Sequence, residues 1–342
     1  MTNSIDKIDR LRRADPASYI PDGQLDERAR QDLEHVLRGG AAEALPSRHR
    51  IGRRTLLVGV AAATAAGVAL VVTDPFGAAQ PAMAATPPML DRVLGLGQPA
   101  AATLNRLATT AEASVDSSSE DSGPHIVRTE SWELSTRIDG KQVRSAVVPE
   151  ITELKWNADR SAHLTVRTGQ PYFPSSEYRS AWRSDGSPGK AGTIVNDEDW
   201  PAGRYTPMFP NLPLPVDESQ LLSVLKAGHP IDDLGTGELM IAINDVYNES
   251  QPGAAVRASL LRLLAGRSDV IYLGRVSDRA GRPAECFAVD STHTGLPERQ
   301  LALFSSTTGS LLASEEVLTT NPGQLGVPIP SVISYRLYFP RP

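Results

Sequence analysis

Nucleophiles and bases at working distance are the first residues to look for in this chain of 342 residues. Ser223-Val224-Leu225-Lys226 has the Ser-x-x-Lys spacing in which a lysine one helical turn away can take a proton from serine. Its usual companions, Ser-Asp-Asn and Lys-Thr-Gly, are absent, and no Gly-x-Ser-x-Gly elbow occurs. The pair therefore reads as an exposed helix face. His125, His163, His229 and His293 stand singly, without the His-x-x-x-His spacing that sets two imidazoles on one helix face for zinc. Asn196-Asp197-Glu198-Asp199 offers oxygen ligands but lacks the ordered spacing and glycine of a calcium loop. Asp232-Asp233-Leu234-Gly235-Thr236-Gly237 lacks the Lys-Ser/Thr end of a phosphate loop and reads as a helix-to-helix connection. The single cysteine, Cys286, lies in the apolar run Glu285-Cys286-Phe287-Ala288-Val289 and reads as a small buried hydrophobe. No catalytic, cofactor-binding or metal-binding residue is assigned, and no cofactor is expected.

Composition narrows the classes further. With 40% apolar residues the chain can bury a large core, and the net charge of −6 points to no nucleic-acid partner. One cysteine permits no intrachain disulfide.

The elements that would position these residues divide by period. From His125 onward the pattern is two: Ile126 to Ile138, a turn at Asp139-Gly140, then Ile151 to Trp156 and His163 to Arg167. Residues 171–215 are rich in Pro, Gly and Ser and carry Trp182, Trp200 and Tyr205, which predicts long loops over one face. Helices follow: one capped by Asp217 with Gln220 three residues later, one over Glu238 to Tyr247, and one over Ala254 to Leu264. Strands close the chain at Val270 to Val276, Glu285 to Val289, Arg299 to Phe304, Leu311 to Leu318 and Val332 to Phe339. The expected fold class is α+β: an antiparallel sheet with helices packed on one face.

Ahead of this domain lies the strongest local signal. Residues 55–72, TLLVGVAAATAAGVALVV, are 18 residues without a charge, enough for a transmembrane helix. Arg48, Arg50, Arg53 and Arg54 precede it and Asp74 follows, which places the N-terminus in the cytoplasm and the C-terminal domain outside the cell membrane. The expected organisation is a cytoplasmic tail at 1–47 with short amphipathic helices, a basic flank at 48–54, a single-pass signal-anchor at 55–72, an Ala/Pro-rich spacer at 73–90 and an extracytoplasmic domain at 91–342. Two alternatives compete: a buried core helix, and a cleaved twin-arginine-type signal with Arg53-Arg54 and Ala82-Met83-Ala84 as its marks.

Several stretches together resemble a family of actinobacterial single-pass membrane proteins that carries no known activity. They are the basic-flanked anchor, Ala85-Thr86-Pro87-Pro88-Met89-Leu90, Leu214-Pro215-Val216-Asp217, the Val-Arg-Ala-Ser-Leu-Leu helix at 256–261 and the Val-Ser-Asp-Arg-Ala-Gly-Arg-Pro hairpin at 276–283. At fold level alone the domain is similar to the lipoprotein-carrier and sigma-regulator sensor domains of bacterial envelopes. The expected function is a membrane-anchored, non-catalytic envelope binding, sensing or regulatory module. Its expected partners are the lipid bilayer, an envelope protein or lipid ligand, and a cytoplasmic partner of the tail. The alternative is an envelope hydrolase with a site assembled from distant residues. An apolar cavity would favour binding; a cleft with a serine or acid beside a histidine would favour hydrolysis.

Overall fold

The computed structural model describes residues 83–114, 124–134, 146–292, 295–323 and 325–340. Their elements are, in chain order, β1 (Gln98–Pro99), α1 (Ala101–Ala113), β2 (His125–Glu133), β3 (Glu150–Trp156), β4 (Ala162–Thr168), α2 (Ser176–Ser184), β5 (Ile194–Trp200), α3 (Glu218–Gly228), α4 (Ile231–Glu249), α5 (Ala254–Ala265), β6 (Ile271–Ser277), β7 (Pro283–Ser291), β8 (Glu298–Ser305), β9 (Leu311–Leu318) and β10 (Ser331–Phe339). The strands form one antiparallel sheet in the order β1-β6-β7-β8-β9-β10-β2-β3-β4-β5.

The last five strands form a meander, because hairpins such as the one at Asp278 return each strand beside its predecessor. The carboxylate of Asp278 accepts from the amides of Ala280 and Arg282 and from the Arg282 guanidinium, which fixes that turn. β10 then pairs with β2, so Tyr335 lies opposite Trp132 and Tyr338 opposite Thr129. This closure joins strands about 200 residues apart and makes one sheet of two meanders.

β7 shows why the sheet needs cover on both sides. Phe287 and Val289 enter the apolar layer under α1, α3, α4 and α5, while Ala284, Cys286 and Ala288 enter a second layer on the opposite face. A strand apolar on both faces is stable only between two covers. On the second face the cover comes from Ala85 and Val93 of the irregular leading segment, from Val147, and from Tyr178 of α2.

Two expectations are corrected here. The α+β layout with all helices on one face fails, because a ten-stranded sheet dominates and α2 packs against the face opposite the other four helices. The reading as a membrane, single-pass, signal-anchor protein with a transmembrane helix is also corrected, to the extent that the described residues supply no such helix. No helix among the described residues is long and apolar enough to cross a membrane. The longest, α4 with 19 residues, carries Asp232, Asp233, Glu238, Asp245 and Glu249, charges that hydrocarbon would not accommodate. The run at 55–72, like the tail at 1–47 and the turn at Asp139-Gly140, lies outside the described residues.

Local differences have local causes. The stretch 171–215 holds α2 and β5, neither of which its composition announces. β5, Ile-Val-Asn-Asp-Glu-Asp-Trp, is an edge strand with one neighbour, where acidic side chains are tolerated because they face water. The expected connection at 232–237 instead opens α4, which passes through non-helical backbone at Gly235 (φ 72°, ψ −148°).

Candidate functional site under the 201–217 strap

Between β5 and α3 the chain runs from Pro201 to Asp217 without helix or strand. This strap crosses the line where the helical layer meets β2–β4, and Leu212 packs into the apolar clusters on both sides of it. Aromatic rings of the strap and of its neighbours gather here. His125 stacks on Trp156 with centroids 4.1 Å apart, Tyr205 lies 5.8 Å from Trp156 and 5.6 Å from Trp200, and Phe209 stacks at 6.4 Å on His229.

A row of acids lies alongside. Glu238, Asp245 and Glu249 are seven and four residues apart on α4, which puts them on one helix face. That face points inward: Glu238 and Asp245 flank His229, at 2.9 Å from Nδ1 and 3.5 Å from Nε2. Glu249 ends the helix. Its carboxylate accepts from the amide of Met208 at 2.7 and 2.8 Å and from that of Phe209 at 3.3 Å, and its carbonyl accepts from the Trp156 indole at 2.6 Å.

Burial raises the Glu249 carboxyl to about 7; the Asp245 charge adds to this, and the two strap amides oppose it. Burial, then the Glu249 charge, pushes the Tyr205 phenol up as well. The buried Tyr205 hydroxyl lies close enough to the Glu249 carboxylate to favour its charge, without the geometry of a full hydrogen bond.

The residues singled out by type and spacing scatter. Ser223 faces solvent, and Lys226 is held by Asp232 at 2.6 Å, so the two do not form a catalytic pair. Cys286 is fully buried, and burial raises its thiol pKa well above the ordinary range. Asp197 and Asp199 project to one face of β5 and Glu198 to the other, so the acidic run does not converge. Among the described residues no group of three or more His, Cys, Asp or Glu is placed to hold a metal ion. His293 lies outside them.

His163 has the most catalytic appearance. Its Nδ1 lies 2.8 Å from Asp199 Oδ1 and its Nε2 lies 3.0 Å from Thr165 Oγ1, a hydroxyl–imidazole–carboxylate line. Thr165, however, is buried, also donates to Asp197 at 3.2 Å, and sits on β4, which is paired along both edges. The amides around it therefore serve the sheet and leave no donors for an oxyanion.

A shallow cleft of about 260 Å³ lies at the ends of β7 and β8, lined by residues including Asp290, Glu298 and Arg299. Its guanidinium is spent on Asp290 at 2.7 and 2.9 Å and on the carbonyls of Val93 and Gly95.

The acid row was missed because the periodicity over Glu238 to Tyr247 reads as an apolar stripe. Acids at i, i+7 and i+11 among apolar neighbours were the available signal. No protein-family model, curated protein or solved structure matches the chain.

Proposed function

We propose that the chain is a non-catalytic binding module whose ligand, a small apolar or aromatic molecule, is taken up against the aromatic cluster beneath the strap. One observation carries this reading: Trp156 and Trp200 meet the ring of Tyr205, which the irregular strap itself contributes, so the aromatic cluster is covered by an irregular segment and not by a helix or strand. Irregular cover over aromatic surface is the usual construction of a ligand lid. Among the described residues His229 is flanked by two acids and the strand amides around His163 are paired within the sheet, which favours binding over hydrolysis.

The test is a titration of the full chain with the neutral dye Nile red, beside hydrolysis of p-nitrophenyl acetate. Saturable fluorescence enhancement that weakens at least tenfold in Tyr205→Ala, with ester turnover equal in wild type and His163→Ala, supports binding. Turnover abolished by His163→Ala, with no saturable dye signal, would replace the binding reading with the hydrolase.

A further inference from the structure

We infer that Glu249 is a latch: its carboxylate ties the strap shut over the aromatic cluster, and gain or loss of its charge sets how often the strap lifts. Between Tyr205 and Val216 the strap's polar attachment among the described residues is this one carboxylate, through the amides of Met208 and Phe209. The segments on either side are tied elsewhere, by Gly203 to the Asp159 carbonyl, Tyr205 to the Arg160 carbonyl, and the Val216 carbonyl to the Ser259 hydroxyl. The piece between these ties has no other polar hold among the described residues, and lifting it also withdraws Phe209 and Leu214 from the helical core.

The groups facing the carboxylate are few. Met208, Phe209 and Tyr205 come from the strap, Asp245 from its own helix, and Trp156 of β3 bonds the carbonyl of the same residue. Among the described residues no lysine or arginine pairs with Glu249. A carboxylate so placed gains its charge against burial and against Asp245, with the amides of Met208 and Phe209 and then the Tyr205 hydroxyl in compensation.

The direction follows by linkage. The closed strap holds the Glu249 proton up to about pH 7, whereas a lifted strap exposes an ordinary carboxyl with a value near 4.5. Between these values the closed form binds the proton and the open form does not. The closed population relative to the open one falls about tenfold per pH unit as pH rises, and levels off above about 7. The strap is thus shut in mild acid and released toward neutrality. This rests on the binding reading only in giving the strap a ligand to admit.

Hydrogen exchange of the ligand-free full chain, corrected for intrinsic amide rates, tests the latch separately from binding. Protection of the Met208 and Phe209 amides is expected to fall about tenfold per unit between pH 5 and 7 in wild type and to stay level in Glu249→Gln. A level profile in wild type, or an equal slope in Glu249→Gln, overturns the latch. If Glu249→Gln does not fold, the wild-type Leu301 and Leu303 amides of β8 serve as reference. A slope confined to the strap supports the proposal, and one shared with β8 is global unfolding and overturns it.

Discussion

At the residue scale the half-buried Glu249 and the fully buried Glu315, on opposite faces of the sheet, are compensated by different means. Glu249 is compensated by strap amides. Glu315, which is fully buried, is held by Arg279 at 2.8 Å, and Arg279 also lies over the Tyr335 ring at 4.8 Å and donates to the Pro88 carbonyl. Burial raises the Glu315 pKa while Arg279 opposes the shift, and one oxygen of Glu315 and the Nε of Arg279 remain without partners. Removing one member leaves a lone buried charge. Arg279→Met should therefore cost about 3–5 kcal/mol in urea unfolding, whereas Arg279→Met with Glu315→Leu should return to within about 2 kcal/mol of wild type.

Glu249 gives a pH signature of its own. Its folded value lies above the unfolded one, so the native state binds more protons between pH 4.5 and 7, and stability from this group declines as pH rises through that window. Urea unfolding at pH 5 and pH 7.5 should show a smaller loss in Glu249→Gln than in wild type, by up to about 3 kcal/mol. An equal loss in both proteins would show that the group is not buried as described. Cys286, by contrast, should resist thiol reagents at pH 8 until the protein unfolds, because its thiol is both enclosed and raised.

At the scale of elements, caps and turns explain where the helices and hairpins begin and end. Asp217 receives the amides of Ser219 and Gln220, so α3 starts where its cap signal stands. α5 packs along α1, and the β8–β9 turn must fit beside both. Gly309 does so with φ of 65°, and a Cβ there would meet the Cβ of Ala111 at 2.7 Å and a methyl of Leu261 at 3.0 Å. Gly309→Ala is expected to destabilise by about 1–3 kcal/mol, seen as a lowered Tm with the same far-ultraviolet circular dichroism. An unchanged Tm would mean that the helix pair can shift to make room.

At the scale of the whole molecule, the central strands are enclosed between two covers, and Phe287 anchors the helical one. It is fully buried between Tyr272 and Phe304 at 5.3 and 6.0 Å. Phe287→Ala should cost about 3–5 kcal/mol, with the tryptophan signal and the sheet signal lost together. Separate transitions would divide the sheet at the β10–β2 junction into independently stable halves.

The sequence by itself determined the elements whose signals are local. Short apolar runs between turns mark β6–β10 to within about two residues, as at Leu311–Leu318, and the Asp217 cap and the Asp278 turn stand where their residue types require. Such signals survive because cap, turn and pleat each involve neighbours a few residues apart. The tertiary structure decided everything that depends on partners distant in sequence. It paired β10 with β2, enlisted the acidic stretch 194–200 as an edge strand, and placed α2 and the leading segment over the second face. It also turned the acids of α4 inward onto His229 and the strap. A carboxylate on a helix is read as solvent-facing unless something elsewhere in the chain covers it; here the cover comes from Met208 and Phe209, about 40 residues away.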